Sequence, residues 1–464
     1  MKNPLKYSSY KDSEVEWLHE IPSHWKIVKA KRIFHEITIK NHPDEPLLAA
    51  TQTKGVIPKS LYENTTVTAT KNFETLKFVR KGDFVISLRS FQGGIEYAHY
   101  QGIISPAYTI LKPQEEVMHN YYRYLLKSKH YISGLTLLVT GIREGQNIDT
   151  GKFKDSFLPL PSKEEQTKIA AFLDFKLAKI NRFIYKKKQL IKLLNEQKAA
   201  IINQAVTKGL YPNAKMKPSG IKWLGDIPEH WIPKRIKYLG KAIIGLTYSP
   251  SEITDSGYGT LVLRSSNVQN GKITYDDCVY VTTEVPKDKI TRIGDILICS
   301  RNGSINLVGK NALINEQASN QTFGAFMTIF RSQNYEYLHY FFNSSSFKAQ
   351  SGLFFTSTIN QLTTGILNNI IVSMPESIDE QIEIVNFIKS ETKVIDQTIS
   401  TIEKEIALVE EYKTALIAEA VTGKIDVRDV EIDETLEVEI YGELEEELSM
   451  VAEDEVEYNT KDID

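Results

Sequence analysis

Two long stretches of the chain place an apolar residue at nearly every third or fourth position. The first steps along Leu173, Leu177, Ile180, Ile184, Lys187, Ile191, Leu194, Lys198, Ile201 and Ala205. The second steps along Ile388, Thr392, Ile395, Ile399, Ile402, Ile406, Val409, Lys413, Leu416 and Ala420, each 215 residues after its counterpart. Neither contains Pro or Gly from Glu165 to Val206 or from Glu380 to Val421. The pattern predicts two helices of about 40 residues, roughly 60 Å long at 1.5 Å per residue. Their seam is Leu173, Ile180, Ile184, Ile191, Leu194 and Ile201 in the first, and Ile388, Ile395, Ile399, Ile402, Ile406, Val409 and Leu416 in the second. A rod with one apolar stripe needs a partner. The simplest closure packs the two rods antiparallel on each other, as a coiled-coil spacer between halves related by a pseudo-twofold axis.

Ahead of each rod lies a mixed region. Short apolar runs such as "FVISL" and "DILICS", bounded by Gly, Pro and Asn, predict strands and turns. The Tyr/Phe-rich segments "NYYRYLLKSKHYI" and "YEYLHYFFNSSSF" predict helices. Collinear landmarks show that the two regions are copies. "WLHEIPSHW" (Trp17 to Trp25) matches "WLGDIPEHW" (Trp223 to Trp231), and these nonapeptides hold all four tryptophans. "KGDFVISLRS" matches "IGDILICSRN" at an offset of 212, "EEQTKIAAFLD" matches "DEQIEIVNFIK" at 215, and "AVTKG" matches "AVTGK" at 215. The expected organisation is a mixed domain over 1–160, a long helix over 161–210, a second mixed domain over 211–375, a second helix over 376–428 and an acidic tail over 429–464. The fold class is α+β: two homologous mixed α/β domains separated by two long antiparallel helices.

Charge adds an asymmetry that the net value of -3 conceals. The tail from Asp429 to Asp464 holds 16 acidic residues and one basic residue, which leaves 55 Lys plus Arg against 43 Asp plus Glu in residues 1–428. A basic body is permissive for nucleic acid. The tail is expected to be disordered or only locally ordered, and both a solubilising extension and a functional role stay open for it. No apolar run approaches the ~18 residues that cross a bilayer. The first twelve residues lack the apolar core of a secretory signal, so the expected location is the cytoplasm. The two cysteines, Cys278 and Cys299, have no metal-type spacing and read as inert thiols in a reducing compartment.

Catalytic signatures are missing. There is no adenine-methylase Asn/Asp-Pro-Pro-Tyr/Phe run, P-loop, HExxH, GxSxG or CxxC. His24 and His230 sit at matching places in the nonapeptides, and with no nucleophile or metal set nearby they read as structural. No residue is assigned to catalysis or to a metal. Recognition remains, and base reading needs Arg, Lys, Asn, Gln, Ser or Thr on loops. The first half offers Thr51, Gln52, Thr53 and Lys54, then Arg89, Ser90 and Gln92. The second offers Arg264, Ser265, Ser266 and Asn267, then Arg301, Asn302 and Ser304. Lys186, Lys187 and Lys188 interrupt the first rod as candidate phosphate contacts, with a solvated face as the alternative.

The nonapeptide before each mixed domain, "LPSKEEQTKIAAFLD" and "MPESIDEQIEIVNFIK" entering each rod, and "AVTKG" and "AVTGK" closing it resemble the DNA specificity subunits of type I restriction-modification systems. The resemblance covers about residues 10 to 425. It implies that each mixed domain is a target recognition domain reading one half of a split, asymmetric DNA sequence, and that the helices set the gap between the halves. It also implies docking of two methyltransferase (modification) subunits that use S-adenosylmethionine, and of restriction subunits that use ATP and Mg2+. No cofactor is expected in this chain, and no catalytic residue carries over to it. A coiled-coil scaffold that reads no DNA, and a nuclease or transferase with an unrecognised site, are the alternatives.

Overall fold

The computed structural model describes residues 6–61, 72–88, 90–115, 117–135, 138–140, 147–221, 224–352 and 361–431. Arg89, Trp223 and all but the first three residues of the acidic tail lie outside the described residues.

In the first half, strands β1 (Phe34–Ile37), β2 (Phe84–Ile86), β3 (Glu96–Tyr97) and β4 (Thr109–Pro113) form an antiparallel sheet in the order β1-β4-β2-β3. The aromatic segment forms α1 (His119–Leu125), which buries Tyr121, Tyr122 and Leu125. The first rod is α2 (Lys163–Lys208). The second half repeats this pattern. Strands β5 (Gly240–Ile244), β6 (Ile296–Cys299), β7 (Asn311–Leu313) and β8 (Met327–Ser332) pair in the order β5-β8-β6-β7. Helices α3 (Tyr335–Phe342) and α4 (Ile378–Val421) follow. In each half a separate antiparallel pair joins the front of the mixed domain to its end, Lys26–Lys29 with Phe157–Leu160 and Ile232–Arg235 with Ile371–Met374. The two homologous α/β domains and two long helices are those the sequence pattern predicts.

The Gly-Asp landmarks are turns that feed β2 and β6. Gly82 (φ 97°) and Gly294 (φ 85°) adopt a backbone that only glycine takes easily. The following Asp83 and Asp295 each accept a hydrogen bond from the backbone N–H three residues back, at 2.8 Å from Arg80 and Arg292. Asp295 also holds Arg331 through two bonds of 2.7 Å.

The compact units do not follow the repeat boundary. One comprises residues 1–187 with 404–464, the other residues 188–403. Each unit therefore combines its mixed domain with one stretch of α2 and one stretch of α4. Within the first unit, Lys187 pairs with Glu405 at 2.6 Å, and Lys413 donates to Asn181 at 2.7 Å. Within the second, Lys198 pairs with Asp396 at 2.6 Å, and Tyr211 donates to Glu383 at 3.2 Å. As one partner's number rises the other falls, so the paired stretches run antiparallel in both units. Every predicted seam residue is buried or half-buried.

Both helices start on a serine cap. Ser162 Oγ accepts from the Glu165 N–H at 3.2 Å and Ser377 Oγ from the Glu380 N–H at 3.4 Å. The expectation that the second helical segment reaches residue 428 is corrected. It stops at Val421, because Gly423 turns left-handed (φ 74°) and the Lys424 N–H closes back on the Glu419 carbonyl at 2.8 Å. Ile425 and Val427 then bury themselves in the first unit's core.

Candidate DNA-reading loops and the junction beneath them

The matching motifs converge on one junction in each unit. Trp25 is fully buried and donates its indole N–H to Glu165 Oε1 at 3.0 Å. His24 Nε2 lies 3.0 Å from the other oxygen of that carboxylate. In the second unit Trp231 donates to Glu380 Oε1 at 2.9 Å, and His230 Nε2 lies 3.0 Å from Oε2. Gln166 and Gln381, next in each "EQ", donate to the Pro161 and Pro375 carbonyls at 2.9 Å. Their amide oxygens accept from the Met118 N–H at 3.0 Å and from Asn334 at 2.7 Å.

The "AVT" ends close the same junctions. Tyr121 donates to the Val421 carbonyl at 2.7 Å and Tyr337 to the Val206 carbonyl at 3.1 Å. Gly423 abuts Trp25 and Gly209 abuts Trp231 so closely that an added Cβ would come within 3.0 and 3.2 Å of the indoles. The histidine and glutamate of this constellation are consumed in holding tryptophan and helix together. Among the described residues no group of three or more His, Cys, Asp or Glu is placed to hold a metal ion.

The variable loops lie elsewhere. In the second unit, a cleft of about 1140 Å³ opens where β6 ends and β8 begins. Arg264, Ser265, Ser266, Arg301 and Asn302 all line it, together with Tyr248, Asp277, Phe326 and Gln361. The two predicted loops are tied together there, since Asn302 Nδ2 donates to Ser265 Oγ at 3.0 Å. Asp277 neutralises Arg264 at 2.8 Å. Arg301 is exposed, and its guanidinium sits 5.2 Å above the Phe326 ring. Ser304 is exposed but outside the cleft lining, and its N–H donates to Asn302 Oδ1 at 3.1 Å.

Asn267 is a correction. It is fully buried, accepts from the Arg264 N–H at 2.9 Å, and donates to the Thr274 and Asp277 carbonyls at 3.1 and 3.0 Å. Both of its amide donors and its carbonyl oxygen are spent on closing the loop.

In the first unit Gln52, Thr53, Lys54 and Gln92 are exposed. Lys127 joins their loops by donating to the Gln52 carbonyl at 2.8 Å, the Gly93 carbonyl at 2.6 Å and both Glu96 oxygens at 2.9 Å. Burial pushes the Glu96 carboxyl up to about 7, against the downward pull of Lys127. Thr51 and Ser90 are corrections. Thr51 is buried and staples its own turn, donating to the Gly55 carbonyl at 3.0 Å and accepting from the Lys54 N–H at 2.9 Å. Ser90 is fully buried and accepts from the Ser87 N–H at 2.8 Å.

Lys187 is also corrected as a phosphate contact, because its ammonium is held by Glu405 at 2.6 Å. Lys186 and Lys188 are exposed. Gln361 and Phe326 were not among the expected readers. Gln361 sits in "TINQLTTGILNNIIVSMP", which aligns with "GQNIDTGKFKDSFLPLP" of the first half at an offset of 214 and so reads as scaffold, and Phe326 stands in the turn just before β8.

The family model of the type I restriction modification DNA specificity domain matches the chain twice, over residues 22–193 and 228–411. The chain is 24% identical over 328 residues to the type I restriction enzyme EcoKI specificity subunit of Escherichia coli (strain K12), covering 68% of each chain. It is 27% identical over 209 residues to the StySPI specificity subunit of Salmonella potsdam, covering 43% of this chain and 44% of that one. A solved structure titled for complex assembly and conformational transition of the type I R-M system superposes with a TM-score of 0.62 at 16% identity, over 87% of this chain and 99% of that chain, a likeness of fold. One family match falls on each repeat, each spans a mixed domain and most of its rod, and together they cover well over half of the sequence. The chain belongs to the family of type I restriction-modification DNA specificity subunits.

Proposed function

We propose that this chain reads a split, asymmetric DNA target, one half-site per mixed domain, and presents it to the other subunits of a restriction-modification assembly. The convergence in the second unit supports this best. Loop residues distant in sequence (264–266, 301–302 and 361) line one cleft. The motifs shared by both repeats are spent on the junctions. The cleft has the side chains that read base edges, and the junctions have those that hold a scaffold. Because the loops differ between the halves, the two words read are different.

Two methyltransferase subunits carrying S-adenosylmethionine, and restriction subunits using ATP and Mg2+, supply the chemistry in this proposal. This chain contributes none. Its place of action is the cytoplasm, where the DNA is. Among the described residues no helix is long and apolar enough to cross a membrane.

The test is to exchange residues 30–155 for the equivalent segment of another family member and map the methylated adenines made by the complete complex. One half of the target changes and the other stays. A change in both halves refutes one word per domain. Methylation or cleavage by the purified chain alone refutes the division of labour.

A further inference from the structure

The second unit's cleft contains two side chains built to discriminate bases, and they are neighbours. Arg301 and Gln361 face each other across an antiparallel β-bridge. Residues directly opposite in such a pair project their side chains to the same face. The pairing is pinned by the Leu362 N–H, which donates to the Ser300 carbonyl at 2.7 Å. A third segment locks the corner, because the Ser300 and Arg301 N–H groups both donate to the Phe326 carbonyl, at 2.9 and 3.1 Å.

The two arginines of the cleft differ in what they have left to offer. Arg264 is committed to Asp277. Arg301 has no carboxylate partner among the described residues, and its guanidinium lies over the ring of Phe326, which is 59% exposed. A cation–π contact with a ring uses none of the guanidinium's N–H donors and leaves its fork available. That fork matches O6 and N7 of guanine. Gln361 has no side-chain hydrogen bond among the described residues, and a glutamine amide matches N6 and N7 of adenine. A phosphate contact needs only a mobile positive charge. A fork that lies over a ring, on a backbone pinned by three hydrogen bonds and beside an amide, suits a base edge.

We propose, resting on the DNA-reading role above, that Arg301 and Gln361 determine the specificity of the second unit. Arg301 reads a guanine, Gln361 reads an adenine at a neighbouring base pair, and Phe326 is a positioning residue that holds the Arg301 fork.

The experiment selects DNA from a duplex library randomised over both half-sites, using the full chain assembled with its modification subunits. Arg301→Ala loses preference at one G·C pair by about ten- to hundredfold. Gln361→Ala loses it at an adjacent A·T pair of the same half-site. Arg301→Lys keeps the charge but not the planar fork, and it weakens the guanine preference. Phe326→Ala weakens that preference without creating another. In all four the other half-site is unchanged. Uniform loss of affinity for every sequence, with the salt slope reduced by about 1, makes Arg301 a phosphate contact and overturns the assignment. So does an unchanged word in Arg301→Ala or Gln361→Ala. If the wild-type complex selects no word at all, the DNA-reading role itself fails; a wild-type word that the variants leave intact fails only the residue assignment.

Discussion

Replacing Glu165 by Ala removes the group on which the first unit's junction turns. The carboxylate is 4% exposed, and it receives the indole N–H of a tryptophan with no exposure. Without it that N–H is buried and unpaired, at a cost of about 1–3 kcal/mol. Deleting the side-chain atoms packed against the indole adds about 1 kcal/mol. The expected loss is roughly 2–4 kcal/mol, or roughly 5–15 °C in the melting midpoint of a unit this size. Glu165→Gln keeps an acceptor for Trp25 and loses about half as much. Glu380→Ala in the second unit costs less, because that carboxylate is 16% exposed and water replaces it more readily. Calorimetry of the full chain, with amide exchange to assign the loss to a unit, provides the assay. Target mapping of the assembled variant should return the wild-type word. An E165A midpoint within about 1 °C of wild type with unchanged exchange in residues 6–61 refutes the junction's structural role, and an altered word refutes its separation from reading.

The two glycine caps should also respond unequally. Gly423→Ala faces a positive φ and a Cβ placed 2.4 Å from Pro22 Cδ, whereas Gly209→Ala meets nothing nearer than 3.2 Å. Melting should show Gly423→Ala as the more damaging, beyond the 1–2 kcal/mol of the backbone alone; equal losses refute the close approach. Asp295→Ala leaves Arg331 without its two-bonded partner and should cost about 3–5 kcal/mol. The equivalent Asp83→Ala, whose carboxylate holds only the Arg80 backbone N–H among the described residues, should cost less, and chemical denaturation ranks the two. Stability against pH should differ between the units. His339 is held down to about 4 by burial, so the unfolded chain binds the extra proton and the second unit loses stability as pH falls from 6.5 toward 4. Glu96 is pushed up to about 7, so the folded first unit binds the extra proton and loses stability as pH rises from 4.5 through 7. Each trend amounts to roughly 3–4 kcal/mol. Amide exchange at several pH values should show opposite slopes, flattened by His339→Gln and Glu96→Gln; parallel slopes in wild type and variants refute the assignments.

Helical periodicity was readable because it depends on neighbours a few residues apart, and the tandem repeat because collinear landmarks recur at a nearly constant offset. So was the structural nature of His24 and His230, through the absence of other reactive groups near them. The division into units was not readable. It depends on which stretch of α4 covers which stretch of α2, a choice made between residues about 200 apart in sequence. Loop chemistry was legible by residue type but not by direction. Thr51, Ser90 and Asn267 have the side chains of base readers, and the same side chains satisfy backbone groups in tight turns. Gln361 had the opposite problem. Its reading role depends on a bridge to Arg301, sixty residues away, and nothing local in "TINQLTTG" announces it.

The distribution of the matched and unmatched residues carries a physical consequence. Trp25, Glu165, Gln166 and Gly423 have counterparts Trp231, Glu380, Gln381 and Gly209, and their hydrogen bonds agree to within about 0.3 Å wherever both copies make the same one. The loops share almost nothing. One unit joins its loops through Lys127 and a buried Glu96; the other ties them through Asn302 and Ser265 and leaves Arg301 over the Phe326 ring with no carboxylate partner among the described residues. A change at a junction alters the stability of every bound state equally, so it moves no preference between sequences. A change in the cleft alters the difference between two bound states and leaves the junctions untouched, because no junction residue lines the cleft. Two different words on one fold require these two classes of residue to be separate, and no side chain named here belongs to both.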